Sequence, residues 1–152
     1  MFKLRCEKGY EPVYMTQHSA GADLKATEAM TIPPGAVAAV PTGVFISGVE
    51  WDKVPAGLIP ELQIRARSGL AFKKRIMLAN GVGTIDADYP EEIKVLLINM
   101  GDQPFEISAG DRIAQLVPAL VARLELAAAQ TEKQRTGGFG STGVEAASKA
   151  RI

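Results

Sequence analysis

Glu61-Leu62-Gln63-Ile64-Arg65-Ala66-Arg67 sets a polar side chain on every odd position and an apolar one on every even position. Successive side chains of an extended chain point to opposite faces, so this period of two predicts a β-strand with one face in a core. The same alternation returns in Leu120-Val121-Ala122-Arg123-Leu124-Glu125-Leu126 and predicts a second strand, despite the alanines that follow. Four shorter runs, Val44-Phe45-Ile46, Ile93 to Asn99, Phe105-Glu106-Ile107 and Ile113 to Val117, are rich in β-branched residues. Turn formers separate them at Pro33-Pro34-Gly35, Asn99-Met100-Gly101-Asp102 and Ala109-Gly110-Asp111. Asn80-Gly81, between Ile76 to Ala79 and Val82 to Ile85, predicts a tight hairpin. So many short strands predict an all-β fold, a jelly-roll-like β-barrel or sandwich. One short helix is expected where Ser68 would cap Gly69 to Lys74.

Beyond Leu126 the strand pattern stops, and Arg135-Thr136-Gly137-Gly138-Phe139-Gly140-Ser141-Thr142-Gly143 is too rich in glycine to hold regular structure alone. The organisation expected is a β core over residues 1–130 and a flexible arm over residues 131–152. The 152 residues suit one domain, and 47% hydrophobic with 22% charged residues is ordinary globular composition. Lys and Arg number 17, as do Asp and Glu. A chain of zero formal charge has no global field to hold nucleic acid, so any anion must be held by a local site. Cys6 is the only cysteine and His18 the only histidine, which excludes an internal disulfide and a His/Cys zinc site within one chain. The charged start Met1-Phe2-Lys3-Leu4-Arg5-Cys6-Glu7-Lys8 does not resemble a secretion signal, and apolar runs are broken well short of a membrane span. A cytoplasmic protein with no membrane and no nucleic-acid partner is expected.

Five segments carry residues suited to chemistry. Arg65-Ala66-Arg67-Ser68-Gly69 ends a strand in two same-face arginines and enters a helix start, an arrangement that suits phosphate. Gly83-Thr84-Ile85-Asp86-Ala87-Asp88-Tyr89 carries two aspartates at i and i+2; on an extended segment they point the same way, which suits water activation or a metal. Ser19-Ala20-Gly21-Ala22-Asp23-Leu24 reads as a turn with one acid, and Gly110-Asp111-Arg112-Ile113-Ala114-Gln115-Leu116 as a turn into a strand bearing a polar Gln. The glycine-rich arm could wrap an anion with Arg135 and stack Phe139 on a ring.

Taken in chain order, Ser19 to Ala26, Arg67 to Ala71, Gly83 to Tyr89, Gly110 to Val117 and Arg135 to Gly143 resemble the first to fifth motifs of the trimeric deoxyuridine triphosphatase (dUTPase) family, a likeness that runs from about Met15 to Gly143. The resemblance implies a homotrimer of jelly-roll-like β-clip subunits with active sites shared between subunits. The reaction it implies is Mg²⁺-assisted attack of water on the α-phosphorus of dUTP, giving dUMP and pyrophosphate, which limits uracil in DNA and supplies dUMP for thymidylate. Asp86 matches the general base, and Asp23 the acid that reaches Mg²⁺ through water while the triphosphate holds the metal. Arg67, Ser68, Gly69 and Gln115 match phosphate contacts. Asn80, with Gly83 and Thr84 of the following turn, matches the uracil pocket; Tyr89 matches the ring under the deoxyribose, and Lys94 is a further substrate contact. Arg135 matches the arginine that reaches the γ-phosphate, with Phe139 on uracil and Gly140 beside it.

Two departures from the family pattern stand out. Tyr89-Pro90-Glu91 places proline in a turn where glycine is usual, and Ser47 to Ala56, with Trp51, is longer than the usual strand connection. That segment is expected as a surface loop or partner contact with Trp51 partly packed. His18 reads as a surface residue, Cys6 as a small buried or edge hydrophobe, and Lys73-Lys74-Arg75 as a solvated face. Two other functions fit parts of the pattern. A dCTP deaminase-like enzyme would need an acid/base glutamate in the pocket, whereas Ile85-Asp86-Ala87-Asp88-Tyr89 suits water attack on phosphorus. A nucleotide-responsive, non-enzymatic binding module would have no need of Asp86, Tyr89 and the arm together.

Overall fold

The computed structural model describes residues 1–124. In chain order they form β1 (Phe2–Cys6), β2 (Ala22–Lys25), β3 (Met30–Ile32), β4 (Val37–Val49), β5 (Leu58–Ala66), α1 (Ser68–Lys74), β6 (Ile76–Leu78), β7 (Gly83–Ile85), β8 (Glu92–Asn99), β9 (Phe105–Ile107) and β10 (Arg112–Ala122). One four-stranded sheet runs β1-β4-β8-β6, a second runs β2-β10-β5-β7, and β3 pairs with β9 in a two-stranded sheet. Every pairing is antiparallel, so the fold is all-β and jelly-roll-like, as the alternating stretches imply.

The core lies where the inner faces of the two larger sheets meet. On β8 the alternation is strict: Ile93, Val95, Leu97 and Asn99 are buried, while Glu92, Lys94, Leu96 and Ile98 are only partly so. Across from them β5 contributes Leu62 and Ile64, and β10 contributes Ile113 and Leu116. Asn99 is the polar member, and every group it has is used. Its Nδ2 donates to the Ile32 and Gln103 carbonyls at 2.8 Å each, and its Oδ1 accepts from the Gly101 amide at 2.9 Å. A buried amide so satisfied holds the turn between β8 and β9 in place.

Five expectations change. First, Asn80-Gly81 is not a hairpin: β6 pairs with β8 in one sheet and β7 with β5 in the other. The favoured two-residue hairpin turns need positive φ at their first residue, and here Gly81 has it, at +71°, while Asn80 does not. Burying Leu78 in one sheet and Gly83 against Ile64 in the other outweighs the local preference. Second, Ser68 does not cap α1. Arg67 does, in extended geometry, its carbonyl accepting from the Leu70 and Ala71 amides, so Ser68 is the first helical residue. Third, Ile113 to Val117 and Leu120 to Ala122 belong to one strand, β10, which pairs with β5 from Ala114↔Ala66 to Ala122↔Leu58; Arg123 and Leu124 are not strand, and Glu125 and Leu126 lie outside the described residues. Pro118, which lacks an N–H, falls beyond the last pairing with β2 at Leu116, where β10 has β5 alone beside it. Fourth, Ala22 to Leu24 is strand, not turn. Fifth, Ser47 to Val49 continues β4 beside β1, and the surface segment shrinks to a single 3-10 turn, Trp51–Lys53, with Trp51 55% exposed. His18 is exposed and Cys6 half-buried at the β1 edge, where burial pushes its thiol up, Glu11 adds to the rise and Arg5 opposes it. Among the described residues no helix is long and apolar enough to cross a membrane. The arm over residues 131–152 lies outside the described residues.

Candidate active site

Register puts three motifs side by side. Gln115 on β10 stands opposite Asp23 on β2 and opposite Arg65 on β5, so these three side chains share one face of the second sheet. The residue at 21 is glycine because a Cβ there would lie 3.0 Å from Gln115 Cβ and 3.1 Å from Val117 Cγ2. On that face Asp23 is 2% exposed, and a buried carboxylate needs partners. Arg112 Nη1 donates to its Oδ2 at 3.0 Å, Gln115 Nε2 lies 3.4 Å from Oδ1, and Arg67 Nε lies 3.7 Å from Oδ1. Arg67 Nη1 also donates to the Arg112 main-chain carbonyl at 2.7 Å. The first, second and fourth motifs thus meet in one charged cluster. Ser68 and Gly69 lie exposed at the start of α1 beside Arg67.

A groove of about 800 Å³ opens next to this cluster, and its lining includes the basic residues Arg67, Lys73, Lys74, Arg75 and Arg112. Asp102, Glu106 and Asp111 are the acidic residues of the same lining. Neither Asp86 nor Tyr89 borders it.

The third motif sits elsewhere. Leu62 pairs with Ile85, so Asp86 falls level with Glu61, six residues along β5 from Arg67. At about 3.3 Å per residue that is about 20 Å. Residues 86 to 89 form a turn, with the Tyr89 amide donating to the Asp86 carbonyl at 3.1 Å, so Asp86 and Asp88 are not on an extended segment and the expectation that they point the same way fails. Asn80, Thr84 and Asp86 are exposed. Gly83 is buried, and a Cβ there would come within 3.2 Å of both Asn80 Nδ2 and Ile64 Cβ. Close packing of this kind leaves no room for a side chain at 83.

Tyr89 is 6% exposed and joins the core. Its hydroxyl lies 3.4 Å from the Glu92 carbonyl, and burial followed by the charge of Glu91 pushes the phenol above its ordinary range. Glu92 in turn accepts from the Thr42 and Gly43 amides at 3.0 and 2.8 Å, tying the chain after Tyr89 to the irregularity in β4. Lys94 lies on β8 in the other sheet, opposite Pro41, away from the Asp23 cluster within one chain. Arg135, Phe139 and Gly140 lie outside the described residues.

Arg112 is the residue of the cluster that the motifs alone do not single out. Its carboxylate partner is 89 positions away, and no local pattern announces such a pair. As for metal, no group of three or more His, Cys, Asp or Glu side chains is placed to hold an ion among the described residues. The cluster offers one carboxylate.

A family model described as dUTPase matches residues 8–143. A deoxyuridine 5'-triphosphate nucleotidohydrolase of Rhizobium rhizogenes is 46% identical over 140 residues, covering 88% of this chain and 85% of its own length. Among solved structures, a dUTPase from Streptococcus mutans superposes with a TM-score of 0.67 at 32% identity, covering 80% of this chain and 98% of that one. The dUTPase of phage phi11 of S. aureus, for which coordination of a structural Mg(II) ion is described, gives 0.68 at 21% identity over 90% of this chain and 99% of that one.

Proposed function

Because the chain belongs to the dUTPase family and hydrolyses dUTP, we propose that it does so in sites assembled between copies of the chain, most simply three. The observation that carries this reading is the separation of about 20 Å along β5 between Asp86 and Arg67, since a general base and the phosphate contacts of one substrate must lie within a few ångströms of its reacting atoms. A second copy, presenting its Asn80 to Tyr89 segment to the Arg67 cluster of the first, closes that gap. Leu120 at 50% and Leu124 at 89% exposure leave apolar surface at the end of β10 that such a neighbour would cover.

Within the composite site, Arg67, the Ser68 hydroxyl, the main-chain amide of Gly69 and Gln115 hold phosphate oxygens. Asn80 and Thr84 face the uracil, where hydrogen-bond polarity separates it from cytosine. Tyr89, fixed in the core, sets the floor under the deoxyribose. Asp86 takes the proton from the water that attacks the α-phosphorus, and the products are dUMP and pyrophosphate. Limiting uracil in DNA and supplying dUMP are the consequences of that reaction. Arg135, Phe139 and Gly140 belong to the segment read as an arm that closes over the nucleotide.

The donor set fits Mg²⁺ held chiefly by the substrate. Mg²⁺ binds through one or two carboxylates, waters and phosphates, and Asp23 is the single carboxylate within the phosphate-binding cluster. When bound, the ion would neutralise triphosphate charge.

The test uses two variants, Asp86→Asn and Arg67→Gln, each assayed for pyrophosphate release from dUTP alone and after the two are unfolded and refolded together. If sites are shared, mixing restores about a quarter of parental activity, the fraction of sites drawing both intact residues from different copies. No recovery would place both residues in one chain's site. Assays with dCTP, dTTP and UTP in parallel settle selectivity, and deamination of dCTP would favour the deaminase-like alternative.

A further inference from the structure

The two oxygens of Asp23 are engaged unequally. Oδ2 takes one 3.0 Å bond from Arg112 Nη1, a distance typical of a full hydrogen bond. Oδ1 has two long contacts, Gln115 Nε2 at 3.4 Å and Arg67 Nε at 3.7 Å. Contacts that long are easily exchanged for better ones. Both donors on Oδ1 come from residues read above as phosphate contacts; the donor on Oδ2 does not. Arg112 also touches the cluster a second time, because its carbonyl oxygen accepts from Arg67 Nη1 at 2.7 Å.

We propose that Arg112 is a positioning residue for polyphosphate binding: it neutralises and pins Asp23 through Oδ2, so that Oδ1 holds Arg67 and Gln115 only loosely and releases them to the ligand. The carbonyl of Arg112 fixes one corner of the Arg67 guanidinium and leaves its remaining N–H groups to turn toward phosphate. Arg112 needs no contact with substrate for this. Its side chain is 41% exposed, so its head group is wet while the carboxylate it pins, 3% exposed, is not. Without Arg112, the buried charge of Asp23 has Arg67 as its remaining cationic partner and draws it inward, away from the ligand.

The proposal rests on the reading of Arg67 and Gln115 as phosphate contacts, and its test separates the two. Calorimetric titration with a dUTP analogue carrying an imido bridge between the α- and β-phosphates, in EDTA, measures binding without turnover or metal. Arg112→Gln should weaken binding by about tenfold or more, the scale of a lost charge-assisted interaction, and Arg112→Lys should recover most of it. In the Asp23→Asn background, where there is no charge to pin, Arg112→Gln should change binding by less than about twofold. That double variant also removes both charges of the pair together, so it stays informative if Arg112→Gln alone folds poorly. Unchanged binding in Arg112→Gln, or equal losses in both backgrounds, overturns the role of Arg112. Unchanged binding in Arg67→Gln overturns instead the reading on which it rests.

Discussion

At Asp86 the proposed chemistry comes down to one proton. Asp86→Asn keeps the size and polarity of the side chain and removes its basicity, so kcat should fall by ~10² or more while affinity for the imido analogue stays near that of the parent. Steady-state and calorimetric measurements on one preparation check this, and near-parental turnover would move the base to Asp88. Three residues on, Tyr89 makes a prediction about pH. Its folded phenol titrates above the usual range because burial, then Glu91, disfavours the phenolate. A group whose folded pKa is raised lends stability that is complete below its unfolded value, about 10 for tyrosine, and is lost as pH rises through the folded value. Tyr89→Phe should therefore lose less stability than the parent between about pH 10 and 11 in urea unfolding. Equal slopes would show that the phenol does not contribute.

At the scale of elements, α1 and the β8–β9 turn each depend on one residue for their ends. Arg75 closes α1 in the left-handed conformation, φ 56° and ψ 30°, while its amide donates to the Ala71 and Leu70 carbonyls. Among the described residues it is the non-glycine with positive φ. A side chain there costs of order 1 kcal/mol relative to glycine, so Arg75→Gly should stabilise the chain by about 0.5–1 kcal/mol, seen as a higher urea midpoint at unchanged slope. The substitution also trims a basic side chain from the groove beside Arg67, leaving dUTP hydrolysis as a control on that surface. At the other turn, Asn99→Ala removes three hydrogen bonds, one buried and two partly buried, and leaves the Gly101 amide and the Ile32 and Gln103 carbonyls without that partner. A loss of about 3 kcal/mol is expected in the same measurement. A loss under about 1 kcal/mol would mean that water replaces the amide.

For the whole molecule, the expected assembly sets mass and the arm sets rate. Light scattering should return three times the chain mass, and a monomer that turns over dUTP at full rate would contradict shared sites. Residues after Gln134 are rich in glycine and carry few large apolar side chains, so a chain ending there should keep its melting temperature to within a few degrees. Losing an arginine directed at a triphosphate can cost ~10³ in rate, so kcat should suffer far more than stability. Calorimetry paired with kinetics on that truncated chain decides it, and equal rates would remove Arg135 and Phe139 from the mechanism.

By itself the sequence determined what local periodicity and motif order can carry. The alternation of Glu61 to Arg67 is β5, the runs at residues 93–99 and 105–107 are strands, and the ordered motifs name the family. These were legible because side-chain direction in a strand follows from position alone. Tertiary structure decided which neighbour each segment takes. Asn80-Gly81 has the chemistry of a hairpin, yet it crosses between sheets, because β6 and β7 each bury more against β8 and β5 than against each other. Ser68 has the chemistry of a cap, yet the strand ends at Ala66 and Arg67 takes the cap position. The Asp23–Arg112 pair spans 89 residues, and the separation of Asp86 from Arg67 is a matter of register. Long-range pairing depends on the burial of whole faces at once, a sum over the chain that no window of sequence contains.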